Sequence, residues 1–529
     1  MSRNSAGSSS QQHFSQIPSA NIQRSTFDRS SMYKTTFNAG KLIPFYADEV
    51  LPGDTIKLTA NLLARLATPI FPYMDNLFLD VHYFFIPNRL VWDNWEKFNG
   101  AQDNPGDSTD FLIPQISAAP WPTGFGELGL FDYLGLPTKV PLTQENMPNA
   151  LVPRAYNLVY DEWYRDENLQ DSVGVETGDG PDTEVYPILN RGRRKDYFTS
   201  ALPWPQKGPS VLLPIGSTAP VFADGNTTIQ LRGQGSGNTG QMLYQNSPNN
   251  LLTTPALSNN DPVGFNGPGI DLGLYADLSE ATAATINELR QAFTIQQMFE
   301  KDARGGTRYV ELLLAHFGVV SPDFRLQRPE YLGGGTVSIN VNPIAQTSET
   351  DASSPQGNLA AFAVATGRVG FNHSFVEHGH VLGIMSVRAD TTYQQGMNRM
   401  WSRRTRFDFY WPTLAHLGEQ PIFNKEIMAQ GTSADNGVFG YQERFAEYRY
   451  KPSIVTGKFR SNATGTLDAW HLAMDFDTLP TLAGLVPENP PVDRIIAVPS
   501  EPHFIVDTYC RQMHTRPMPT YSVPGLSKL

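Results

Sequence analysis

The residues best placed to do chemistry are three histidines in Asn372-His373-Ser374-Phe375-Val376-Glu377-His378-Gly379-His380. On a strand, positions i and i+2 point to one face, so His378 and His380 can share a transition metal through their imidazoles. Such a site also wants a carboxylate a few residues further on, and Val381 to Met385 supplies none. His378 and His380 are therefore weak metal candidates, and the stretch reads better as polar residues where a strand begins. Other chemistries are thinner. No Gly-x-Ser-x-Gly elbow stands between a strand and a helix, and no Gly-x-x-x-x-Gly-Lys-Ser/Thr phosphate loop occurs. Cys510, the single cysteine, has no helix start or Cys-x-x-Cys neighbour to activate its thiol. Asp161, Glu162, Asp166 and Glu167 are scattered round a helix and do not make a calcium loop. No catalytic residue and no cofactor is expected, and the chain reads as a non-enzyme.

Binding chemistry is better represented. Arg399, Arg403, Arg404 and Arg406 interleave with Trp401, Phe407, Phe409 and Tyr410 in Met397 to Trp411. Arginine beside aromatics suits single-stranded nucleic acid, by stacking and phosphate contact. It equally suits a protein interface, where Arg, Trp and Tyr dominate binding energy. The net charge of −12 favours the interface, because coating phosphates takes an excess of Lys and Arg. Arg191-Gly192-Arg193-Arg194-Lys195 is the densest basic run; it could meet nucleic acid or a carboxylate-rich neighbour, and surface solvation is the commoner reason for such a run.

The elements that must position these groups are organised around Met74 to Gly100. Leu77, Leu79, Val81, Tyr83 and Phe85 alternate onto one apolar face, while the other face is mixed and expected to be only partly covered. Pro87 stops the strand, Asn88 is expected to cap a short helix, and Gly100 to end it. Trp92 and Trp95 on that helix mark a large buried contact, with a subunit interface or DNA contact as their other reading. Ile56, Leu58, Ala60 and Leu62 alternate with Lys57, Thr59 and Asn61 as a half-buried strand. A helix is expected from Pro153 to about Gln170, another from Thr282 to Arg304, and a third from Tyr309 to about Phe317. Val381 to Arg388, Trp470 to Phe476, Ile495 to Val498 and Phe504 to Val506 read as further strands. Strands at both ends and helices in the middle predict a mainly β fold, an eight-stranded antiparallel jelly roll with long loop and helical insertions.

Residues 1–36 are polar and read as an extended N-terminal arm, and 37–529 as a single jelly-roll domain. Two insertions lie within it. Residues 210–271 shift to Gly, Asn, Thr, Pro, Ser and Gln with few charges, as a solvent-exposed insertion, and 282–318 form a helical one. The start of the chain has no apolar segment, so no secretory signal is expected. No apolar run approaches the roughly 20 residues that cross a bilayer, so no membrane insertion is expected.

Several stretches also resemble a known family. Asp48-Glu49-Val50-Leu51-Pro52-Gly53-Asp54-Thr55 together with Met74 to Gly100, Ala201-Leu202-Pro203-Trp204-Pro205-Gln206-Lys207-Gly208, and Glu288 to Phe293 through Gly305-Gly306-Thr307-Arg308-Tyr309 are similar to the major capsid proteins of the Microviridae, in particular the gokushoviruses. The resemblance implies a structural protein of the virion, assembled in the cytoplasm of a host bacterium. It implies pentamers in a T=1 icosahedral shell around circular single-stranded DNA. It also implies partners: a small basic DNA-binding peptide, spike or pilot and scaffolding proteins, and a bacterial host receptor met by a spike-like insertion at 210–271. Two rival readings stand beside it. One is a carbohydrate-binding or carbohydrate-active β-sandwich, for which no carboxylate pair is identified; the other is a metal-dependent cupin, resting on His378 and His380.

Overall fold

The computed structural model describes residues 22–211, 286–320, 323, 325–350 and 355–521, with the backbone of six short strands between 221 and 276. The chain divides into two compact units, one formed by Met1–Pro205 with Thr307–Leu529, the other by Gln206–Gly306.

The first unit is built on one curled antiparallel sheet. Its strands are β1 (Ser25–Asp28), β2 (Ser31–Phe37), β3 (Ile43–Val50), β4 (Thr55–Leu66), β5 (Leu77–Pro87), β6 (Glu330–Ala345), β7 (Leu359–Ser374), β8 (Gly379–Ala389) and β9 (Phe504–Arg516). Their order is β1-β9-β4-β7-β6-β5-β8-β3, with β2 also on β9. β1 and β2 occupy successive halves of one edge, pairing Met513–Arg516 and Phe504–Cys510 of β9, so nine strands fill eight positions. The expected jelly-roll architecture is present as this half-barrel. From Ser25 on, the segment expected to be an arm is therefore sheet edge; residues 1–21 lie outside the described residues.

β6 turns the sheet over. Glu330–Ile339 pairs with β5, then Asn340–Ala345 pairs with β7, so one strand serves both halves. Alternation decides what each half buries. On β4, Ile56, Leu58, Ala60, Leu62, Ala64 and Leu66 face inward, while Lys57, Asn61 and Arg65 face out. Leu77, Leu79, Val81, Tyr83 and Phe85 of β5 meet them in the main core, with Val381, Met385, Phe504 and Val506.

The opposite face of β5 is mixed, as expected. Phe78 and His82 on it are half-buried, as a partly covered face requires, but its far end is closed over: Phe84 and Ile86, with Leu382 and Ile384 of β8, are buried against Trp92, Phe125, Phe131, Tyr156 and Val159. Buried on both faces, β8 carries the near-continuous apolar run that the sequence displays. The covering layer is made by residues 88–190. It includes α1 (Leu151–Val159), which passes into a wide turn over Tyr160–Tyr164 and ends there, short of the expected Gln170. Asn88 opens a single 3-10 turn instead of capping it; the helical turn Trp95–Phe98 follows Asn94 and stops at Gly100, whose φ is +94°.

Two expected C-terminal strands are absent for a visible reason. Between Trp470 and Phe476, Arg494 donates to the carbonyls of His471 and Ala473, and Asp75 accepts the amide of Leu472. Side chains satisfy the backbone there, so no ladder is needed, and only Met474 makes a bridge, to Tyr393. Ile495 and Ile496 are buried in the same way, with one bridge from Ile496 to Pro69.

In the second unit, three short antiparallel ladders join 221–223 to 274–276, 231–233 to 263–265 and 244–246 to 251–253. They are nested, with 221–223 and 274–276 outermost and 244–246 and 251–253 innermost. The side chains of the expected 210–271 insertion lie outside the described residues. The expected 282–318 helices fall in both units: α2 (Ile286–Arg304) in the second and α3 (Tyr309–Phe317) in the first. Gly318, at φ +68°, ends α3 as its position predicts.

Candidate assembly interface

The segment 398–417 follows β8 and has no long element of its own. Asn398 accepts the amide of Met400, Asp408 accepts the amides of Arg404 and Thr405, and Pro412 opens another turn, giving three single 3-10 turns. Single turns cannot fold an apolar face back on itself. Met400, Trp401, Phe407, Phe409, Tyr410, Trp411 and Leu417 all stand exposed, Trp401 at 72%. Tyr448, Tyr450 and Ile454 are exposed as well, and Tyr448 joins the array through its ring contact with Tyr410.

The arginines brace this array. Arg399 donates to the Pro421 carbonyl at 2.6 Å and to Glu426 at 3.1 Å. Arg403 donates to Glu447 at 3.2 Å and lies 4.3 Å from the Tyr448 ring. Arg406 sits 4.6 Å over Trp411, whose indole N–H returns to the Arg406 carbonyl. Arg404 is exposed. Two of the four cations are thus matched by buried carboxylates. Burial pushes the Glu426 carboxyl up, and Arg399 opposes that shift by favouring its ionised form. What faces outward is mostly aromatic surface with little free charge, the composition of the core of a protein interface.

A second apolar surface lies on α3. None of its residues is buried, and Tyr309, Leu314 and Phe317 are exposed, Phe317 at 75%, followed by exposed Val319 and Val320. Arg308 fixes its first turn by pairing with Glu162 at 3.3 Å, Glu167 at 2.6 Å and Glu311 at 3.2 Å. The acidic helix residues are spent in this way: Asp161 pairs with Arg165 at 3.2 Å and Asp166 with Lys195. The sequence displays α3 as a helix; that its apolar residues stand exposed is seen only in the structure.

The other named residues fall elsewhere. Trp92 is fully buried and donates to Asp179 at 2.8 Å, so the interface or DNA role considered for it is corrected to a core one. Trp95 is half-buried, with its ring 5.7 Å from that of His378. His378 precedes β8, and His380 is buried with its Nε2 4.0 Å from Glu49 and its pKa lowered by burial. Among the described residues no group of three or more His, Cys, Asp or Glu side chains is placed to hold a metal ion. Nor is any helix among them long and apolar enough to cross a membrane.

Comparison with known proteins fits a surface built to meet other subunits. The family model described as capsid protein (F protein) matches residues 15–526. Capsid protein VP1 of Bdellovibrio phage phiMH2K is 50% identical, with 98% of each chain covered. Capsid protein VP1 of Chlamydia phage 1 is 45% identical and that of Spiroplasma virus 4 is 37% identical, again over 98% of each chain. Matched over 98% of its length by these proteins and built on a jelly-roll sheet, the chain belongs to the capsid protein (F protein) family, as a major capsid protein of the gokushovirus type within the Microviridae.

Proposed function

We propose that copies of this chain assemble as pentamers into a T=1 icosahedral shell enclosing circular single-stranded DNA. The observation that carries the reading is the braced aromatic array from Met400 to Leu417, too large and too exposed to be left in water. Covering about 100 Å² of one such ring contributes roughly 2.5 kcal/mol. A subunit in a closed shell makes several such contacts at once, so modest contacts add to a stable container.

The acidic chain needs help with its genome, and a small basic DNA-binding peptide supplies the missing charge in this scheme. Spike or pilot and scaffolding proteins are the further partners. The insertion at 210–271 is assigned to the outer surface and to contact with a bacterial receptor; the nesting of the three ladders between 221 and 276 supports a projecting element. Electron microscopy and sedimentation of the full chain, alone and with these partners, test the proposal. Closed shells built from fivefold units are expected. A chain that stays monomeric at high concentration with every partner present would sink it.

A further inference from the structure

Outside the aromatic array, one cleft of about 440 Å³ combines positive charge with flat rings. Its cationic wall is Arg165, Arg191, Arg193 and Lys195, and Asp166 is the one carboxylate that lines it. Its other wall is Trp163 and Tyr331, with ring centroids 5.9 Å apart and the rings 41% and 44% exposed. Phe84 backs Trp163 at 5.5 Å, and the Arg328 guanidinium lies 5.5 Å from the same indole. His82, 2.7 Å from the Tyr164 hydroxyl, is held towards its neutral form by burial and adds no charge.

The cations are only partly matched. Arg191 pairs with Asp80 at 2.7 Å, an aspartate also shared with Arg388, yet its Nε is buried with no hydrogen-bond partner. Arg193 is only 7% exposed; its Nε donates to the Pro487 carbonyl at 3.2 Å, and its Nη1 is buried with no hydrogen-bond partner. Glu488 lies near enough to feel its charge, and Arg165 and Lys195 have Asp161 and Asp166. A buried guanidinium nitrogen without an acceptor is costly, and both of these belong to side chains that line the cleft. A ligand suited to this lining brings an anionic oxygen to the cations and a flat apolar face to the adjoining rings.

We propose that this cleft binds one nucleotide of single-stranded DNA, the base against Trp163 and Tyr331 and the phosphate against Arg193 and Lys195. A bare carboxylate would satisfy the cations and leave the rings unused; a nucleotide uses both. The site differs from the arginine-rich segment at 399–406, where Arg399, Arg403 and Arg406 brace the aromatic array. The enclosed strand being DNA comes from the assembly proposal. The binding site is a separate claim, because shell formation is read by microscopy and strand binding by a different signal.

The test uses the full chain and a fluorescent oligothymidylate, followed by anisotropy. Lys195 is exposed, so Lys195→Gln leaves the fold intact and is expected to lower affinity and flatten the salt dependence by about 0.7 in log–log slope, the share of one phosphate contact. Trp163→Ala is expected to weaken binding about 5- to 100-fold through lost stacking. Since Trp163 also donates to the Pro329 carbonyl, the unaltered chain provides the second measurement: a strand carrying 5-iodouracil is photocrosslinked and the adduct mapped by mass spectrometry. Adducts at Trp163 or Tyr331 uphold the site. Adducts confined to other regions, no binding at all, or equal protection of the cleft by an acidic peptide of matched charge would overturn it, the last pointing to a protein partner instead.

Discussion

Arg154 and Asp182 form a two-pronged ion pair in which neither side chain has any exposed surface. Arg154 Nε meets Oδ2 at 2.8 Å and Nη2 meets Oδ1 at 2.5 Å, while Nη1 donates to the Val91 carbonyl at 2.9 Å. The Tyr186 hydroxyl donates a third bond to Asp182, at 2.6 Å. Three stretches of the layer over β5, remote in sequence, are joined at this point: the turn at Val91, helix α1 and the loop at 182–186. Breaking one half leaves a buried charge alone, so Asp182→Ala is expected to cost about 3–5 kcal/mol in urea unfolding. The double change Arg154→Met with Asp182→Leu removes both charges and is expected to recover most of that loss. A double variant as weak as Asp182→Ala would show that the pair does more than neutralise itself.

The aromatic array gives a prediction about assembly alone. Trp401 is largely in solvent, so Trp401→Ala removes nothing from the subunit's core. Its thermal midpoint should match the parent's within a degree or two. A central interface tryptophan contributes about 2 kcal/mol or more, so the concentration needed for shells should rise by roughly 30-fold. Light scattering during assembly reads this directly. Unchanged assembly would move the interface away from this segment.

How much of this was legible beforehand depended on whether a residue's fate is decided locally. The inward positions of β4 and β5 follow from alternation, and Gly100 and Gly318 end their elements because each takes a positive φ. Trp470 to Phe476 alternates as well as any strand, yet Arg494 and Asp75 take up its backbone groups, a fact set by distant residues. The burial of Phe84 and Ile86 on the second face of β5 depended likewise on a hundred-residue excursion folding back. Of the interface candidates, the arginine and aromatic composition was readable in order. Which rings face water was not, since single turns carry no periodicity. The cleft joins positions 163, 191–195 and 331, and no spacing in the chain announces such a set.

The seam between β4 and β7 admits no side chain at Gly370. A Cβ there would lie 2.1 Å from the Leu58 carbonyl oxygen and 2.9 Å from the Thr59 Cα, both backbone atoms. Neither can move without breaking the ladder that pairs Phe371 with Leu58 and Gly370 with Thr59. Gly370→Ala is therefore expected to abolish soluble expression or to lower stability by several kcal/mol. Gly178→Ala is the control: nothing lies within 4 Å of its added carbon, and its φ is unexceptional, so it should be silent. Equal behaviour of the two variants would reject the register.

The last prediction concerns the place where the curled sheet closes. β3 ends the sheet order on one side and β1, paired with β9, on the other, and side chains bridge the two ends: Arg29, just after β1, to Asp48 of β3 at 2.6 Å, and Tyr46 of β3 to Gln512 of β9 at 2.7 Å. His514, on β9, sits among these groups with no exposed surface, its Nε2 3.1 Å from Gln512 Oε1 and 3.7 Å from Asp48. Burial lowers its pKa to about 4; Asp48 opposes that shift, while Arg29 and Arg516 add to it. Between about pH 6.5 and pH 4 the unfolded chain therefore takes up a proton that the folded chain refuses. Stability on this account is complete above pH 6.5, falls as the pH drops, and levels off below 4, a loss on the order of 2–3 kcal/mol. His514→Gln retains a polar contact and cannot titrate. Urea midpoints measured at pH 7.5, 6.0 and 4.5 should fall less steeply for that variant than for the parent. Parallel falls in the two proteins would place the acid sensitivity elsewhere and leave His514 a mere filler of the seam.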